Sequence, residues 1–129
     1  MAKLGECKVC GVNDIVTEHH RIKRGQQSAL IKCKDNLIDL CTKCHYEIHH
    51  GKNGHALDLQ LQWGFQNHLE DVFDKNEFTR EEIKKCLGIN EDAIVRLCKT
   101  IKQQNSVFLR EDVIRACMGG KLISKDDIF

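Results

Sequence analysis

Two cysteine pairs and a set of histidines concentrate the reactive side chains of this chain in its first half. Cys7-x-x-Cys10 and Cys41-x-x-Cys44 each put two thiolates on one tight turn, from which both sulfurs can reach about 2.3 Å from a single zinc ion. Two such pairs make a closed, tetrahedral, redox-inert structural zinc site. Between and beside them stand His19, His20, Asn36, His45 and His49. Neighbours on a strand point to opposite faces, so His19 and His20 cannot do the same job; one can hold a metal ion while the other works beside it. On a helix, His45 and His49 are four residues apart on one face, a spacing that lets two imidazoles grip one ion.

These groups need elements to hold them. Residues 15–22, Ile-Val-Thr-Glu-His-His-Arg-Ile, are rich in β-branched side chains and read as a strand. A polar loop from Lys23 to Lys34 follows, with the short apolar piece Ala29-Leu30-Ile31 inside it. Residues 36–40 read as a second short strand, and 42–50 as a helix stopped by Gly51. Beyond Gly54, apolar residues from Leu57 to Phe73 recur at three- and four-residue intervals, the pattern of an amphipathic helix over 56–73 with a potential break at Gly64. Thr79-Arg80-Glu81-Glu82 has the form of a capping box and opens a helix that Gly88 would end. Asn90 caps the next, with Ile94, Leu97 and Ile101 on one face, and residues 109–118 give a third. Short helix, glycine turn, longer helix is the layout of a helix-turn-helix.

The expected fold is therefore α+β: a small zinc-stapled ββα unit over residues 1–54, a connecting amphipathic helix over 55–78, and an all-α region over 79–129 with that helix-turn-helix layout. At 129 residues the chain has room for one ordinary domain or two small ones, and a module of about 50 residues needs a staple. With 41% apolar and 30% charged residues and no apolar run near the roughly 20 residues that span a bilayer, no membrane segment is expected. Cysteine and charge follow the first residues where a secretory signal would carry an apolar stretch, so a cytoplasmic location is expected. Eight cysteines in such a chain point to metal binding or burial rather than disulfides. Cys33, Cys86, Cys98 and Cys117 lack metal spacing and read as buried or half-buried free thiols. Trp63 and Phe65 read as core, and Glu70, Asp71, Asp74 and Glu77 as a solvated face. A net charge of +1 does not by itself signal nucleic-acid binding, but mildly basic segments flank an acidic one at 56–78.

Taken in order, Cys-x-x-Cys, His-His, Asn-Leu-Ile-Asp-Leu-Cys-x-x-Cys-His and a further histidine four residues on resemble the HNH endonucleases, over roughly residues 5–52. The resemblance implies the ββα-metal fold that this family shares with the colicin DNases. It implies that His19 is a metal ligand, His20 the general base, Asn36 a brace for the loop that aims His20, and His45 and His49 the second and third ligands. His50 and His55 receive no role. The family usually carries an apolar residue where Arg21 follows His20 here, which bears on the strand register. The implied reaction is hydrolysis of a DNA phosphodiester to a 5′ phosphate and a 3′ hydroxyl. Imidazole can take the proton of an attacking water near neutrality, while a bound divalent ion offsets charge on the phosphate and on the departing oxygen. Imidazole ligands favour zinc, nickel or manganese over magnesium, though the family is permissive and magnesium stays among the candidates.

Double-stranded DNA is the partner this implies. Arg21, Lys23 and Arg24 in the first half are positioned in sequence to meet phosphate, and Arg96, Lys99 and Lys102 would lie along one side of the second C-terminal helix, where phosphates or base edges come within reach. The C-terminal part also resembles small helical modules of phage and mobile-element proteins. A homodimer, or a phage or mobile-element protein, is left open as a further partner. The competing reading is a zinc-containing regulator that binds DNA without cutting it.

Overall fold

In a computed structural model the described residues are 2–103 and 105–128. Three antiparallel strands, β1 (Lys3–Glu6), β2 (Asn13–His20) and β3 (Leu37–Cys41), form a sheet in that order, followed at once by helix α1 (Thr42–His50). The anticipated strand–strand–helix unit is thus present with an added edge strand, β1, whose Lys-Leu-Gly-Glu sequence carries no alternation that would have announced it. The strand read over 15–22 is shifted to Asn13–His20: Arg21 N–H still donates to the Asn36 carbonyl at 2.8 Å, but Ile22 N–H turns to the Asn36 side chain, Oδ1, at 2.7 Å, and the ladder ends there. The loop between β2 and β3 is compact, with one 3₁₀ turn at Ser28–Leu30 and another at Lys34–Asn36.

Helix α2 (Gly54–Val72) runs through Gly64 without a break. Its start is pressed against the end of α1, where a Cβ at Gly54 would collide with the carbonyls of Glu47 and Ile48, so only glycine fits that junction. Farther on come β4 (Glu77–Phe78), α3 (Arg80–Leu87), α4 (Glu91–Cys98), β5 (Phe108–Leu109), α5 (Arg110–Cys117) and the short α6 (Lys125–Ile128). Strands β4 and β5 pair antiparallel, so the C-terminal part is not purely helical. The capping box forms as anticipated: Thr79 Oγ1 accepts from Glu82 N–H while the Glu82 carboxylate accepts from Thr79 N–H. Gly88 ends α3 in the left-handed region at φ 65°, and Asn90 caps α4 by accepting from Ala93 N–H at 2.9 Å.

Two buried clusters hold these elements. The smaller joins Cys7, Val16, Leu40, Cys41, Cys44 and Ile48, with Leu57 and Leu61 of α2 packed against it. The larger runs across the boundary expected at residue 54: Ile22, Ala29, Leu30 and Cys33 from the β2–β3 loop pack with Phe65, Leu69, Ile83, Ile94 and Cys117 among others. Helix α2 serves both clusters with different residues. Burial of this kind contributes about 25 cal/mol per Å² of apolar surface, so the loop that follows His20 draws its stability from the C-terminal helices. Buried amides reinforce the junction: Gln27 Nε2 donates to the Ala116 carbonyl at 2.9 Å, and Gln66 exchanges two hydrogen bonds with the backbone of Ile123. Among the described residues no helix is long and apolar enough to cross a membrane.

Candidate metal centres and the groups around them

The four cysteines at metal spacing converge. Cys7 and Cys10 lie in the turn between β1 and β2, where Cys7 N–H donates to Val12 O and Gly11 N–H to Cys7 O, both at 2.9 Å. Cys41 ends β3 and caps α1, its sulfur accepting from Cys44 N–H at 3.4 Å. All four sulfurs lie within 4.8 Å of one another, and Cys10 Sγ is 3.8 Å from Cys41 Sγ. Two donors each about 2.3 Å from one ion at the tetrahedral angle sit about 3.8 Å apart, so the spacing fits a shared tetrahedral metal and is far too long for a disulfide. The thiols also disagree electrostatically. Burial works to raise Cys7, but backbone N–H groups outweigh it and hold the thiol down to about 6; Cys44 is pushed up by burial and by the neighbouring cysteines. Four thiolates cannot share this space without a cation.

The second group consists of His19, His45 and His49, whose ligand nitrogens also lie within 4.8 Å of one another. His19 comes from β2 and is 4% exposed; His45 and His49 come one helical turn apart from α1, with ring centroids 5.2 and 5.8 Å from that of His19. The exposure rises from buried His19 through half-buried His45 to exposed His49, so the group opens to solvent on one side. Thr17, two residues before His19 on the same strand face, meets His45 Nδ1 through its hydroxyl at 2.8 Å. That contact leaves Nε2 as the free nitrogen of His45. Burial, then the nearby His19 and His49 rings, lowers the pKa of His45 and so favours the unprotonated ring that a metal requires.

His20 leaves the strand on the other side. Its Nε2 is 3.0 Å from the carbonyl of Ile31, which can only accept, so Nε2 bears the proton and the lone pair is on Nδ1. The loop that offers this carbonyl is pinned by Asn36, which is fully buried: its Oδ1 accepts from Ile22 N–H at 2.7 Å, and its Nδ2 donates to the carbonyls of Ile22 at 2.9 Å and Leu30 at 3.1 Å. Asn36 thus ties Ile22, two residues beyond His20, to Leu30, the residue before the Ile31 carbonyl that faces His20.

The candidate cations fare unequally. Arg21 is half-buried, its guanidinium over the Phe65 ring and donating to the Asp35 carbonyl. Lys23 is ion-paired with Asp58 at 2.6 Å. Arg24 is exposed and lines a cleft of about 460 Å³ together with Lys32, Ile31, Asn90 and Arg96. Arg96, Lys99 and Lys102 do not form the expected row: α4 stops at Cys98, Lys99 caps it, and Lys102 lies beyond it. Arg96 turns toward the loop, donating to Ser28 O and Oγ at 3.3 and 3.2 Å, because α4 packs on the 3₁₀ turn at Ser28–Leu30. Cys33 and Cys117 are buried and Cys86 and Cys98 half-buried, each pushed up by burial.

Two groups escaped the reading of the sequence. Thr17 has a local signal, its alternation with His19. Asp58 has none, lying 39 residues beyond His19 on a different element; its Oδ1 sits 3.6 Å from His19 Nε2. Burial would raise this carboxyl, but His19 and Lys23 hold it down at about 2. Set against protein-family models, curated proteins and solved structures, the chain matches none.

Proposed function

We propose that the chain is a metal-dependent DNA endonuclease whose structural zinc is held by Cys7, Cys10, Cys41 and Cys44 and whose working divalent ion is held by His19, His45 and His49. The observation that carries this reading is the pairing of an imidazole triad open on the His49 side with His20, whose tautomer is set by the Ile31 carbonyl. Three imidazoles with an open side are the donor set of a catalytic ion, whereas four thiolates close a structural one. An ion so held supplies Lewis-acid neutralisation of a phosphodiester. His20 takes the proton of the attacking water on Nδ1, Ile31 holds its ring, and Asn36 keeps that segment in place. Arg24, Lys32 and Arg96, which line one cleft, supply the charge that binds the DNA backbone.

Supercoiled-plasmid cleavage by wild type and His20→Ala, with magnesium, manganese, nickel or zinc and with EDTA, tests the reading. Expected is conversion to open circle or linear by the wild type, lost with EDTA and with His20→Ala. Equal cutting by the variant overturns the role of His20. Salt-dependent DNA binding without nicking under any ion would favour a zinc-containing regulator instead.

A further inference from the structure

His19 is the most deeply buried of the three imidazoles, and among the described residues its Nε2 makes no hydrogen bond of normal length. A buried polar atom in that condition calls for an explanation. The group that faces it is the Asp58 carboxylate, one turn into α2, with Oδ1 3.6 Å away. That carboxylate is fixed from its other side. Lys23 Nζ donates to both oxygens, at 2.6 and 2.7 Å, and Gln62, one turn along α2, donates to Oδ2 at 3.0 Å. The close packing of Gly54 against the end of α1 sets where the first turn of α2 stands, and with it Asp58.

We infer that Asp58 is a positioning residue of the imidazole triad: from 3.6 Å, a shift of a few tenths of an ångström as metal binds lets its carboxylate accept a hydrogen bond from Nε2–H of His19, which fixes Nδ1 as the atom His19 presents to the ion. This rests on the reading of His19, His45 and His49 as metal ligands. A carboxylate behind a ligating histidine is the usual way to fix its tautomer and raise its basicity. Direct ligation by Asp58 is disfavoured by two facts: the carboxylate is not in the group whose ligand atoms all approach one another, and both of its oxygens are already engaged by Lys23. His45 is fixed in the complementary sense, its Nδ1 bound to Thr17 and its Nε2 free, so the two ligands are set by opposite ring nitrogens.

Zinc itself is the probe. The full chain, labelled with ¹⁵N-histidine and titrated with zinc, is expected to take two equivalents, and long-range ¹H–¹⁵N correlations should show His19 bound through Nδ1 with a protonated, slowly exchanging Nε2. Asp58→Ala should weaken the second, weaker equivalent about 10- to 100-fold in chelator competition, with the Cys-bound equivalent unchanged as the control for folding. Asp58→Asn, which keeps an acceptor, should recover part of the loss. Zinc on His19 Nε2, or Asp58→Ala affinity within about twofold of wild type, overturns the inference while leaving the metal-site reading intact. A wild type that takes only one zinc overturns both.

Discussion

The thiol cluster and the imidazole cluster share helix α1, which supplies Cys44 to one and His45 and His49 to the other. Three of the four thiols are buried, and their sulfurs are set by short turns and a helix cap. The imidazoles instead grade from buried to exposed, with His45 Nδ1 against the Thr17 hydroxyl and His19 Nε2 facing Asp58. Each pair of thiols is set by local chain geometry, and the pairs meet across the sheet; the imidazoles and the groups that face them come from β2, α1 and α2. The first suits permanent metal that stands in for a core, the second an ion that must meet a ligand from solvent.

The comparison breaks most visibly at Cys41. Cys41→Ser should lose the tight metal equivalent and destabilise the fold by more than about 4 kcal/mol, since structural zinc can supply about 10–16 kcal/mol to such modules; metal analysis and thermal unfolding check it. Next in size, His20→Ala should slow plasmid cleavage about 10²- to 10⁴-fold with both metal equivalents retained, which separates chemistry from metal binding. Asn36→Ala should cost about 3 kcal/mol or more in urea unfolding, because it strands buried backbone groups of Ile22 and Leu30. A smaller and more selective effect is expected of Thr17→Val: about tenfold weaker metal at the imidazoles, none at the thiols, read by chelator competition. Loss of discrimination between the two sites in that variant would mean they are not independent. Smallest is Arg96→Ala, expected to change stability by less than about 0.5 kcal/mol and to lower the salt slope of DNA binding by about one.

Local signals carried much of this. Cysteine spacing, the four-residue step from His45 to His49, the stop at Gly51, the capping box at Thr79 and the left-handed Gly88 are all short-range patterns, and the structure has them where the sequence puts them. What could not be read locally depends on tertiary partners. Arg96, though exposed, reaches back to the loop because Ser28 offers it two oxygens from 68 residues away. Leu57 and Phe65 look like one apolar stripe, yet they serve different buried clusters. Asp58 reads as an ordinary charge on a helix until the junction at Gly54 brings it over His19.

The hydrogen bond from buried Gln27 to the Ala116 carbonyl, together with the burial of Ile22, Leu30 and Cys33 among the C-terminal helices, bears on modularity. A fragment cut after residue 54 would keep every metal-binding side chain discussed above, yet it would leave those three apolar residues facing water and the segment behind Ile31 without support. On the nuclease reading proposed above, such a piece would not be a cassette that gene fusion could graft onto a new DNA-reading partner. On that same reading a change of target would have to arise within the intact chain, on surfaces such as the Arg24–Arg96 cleft that both halves build together.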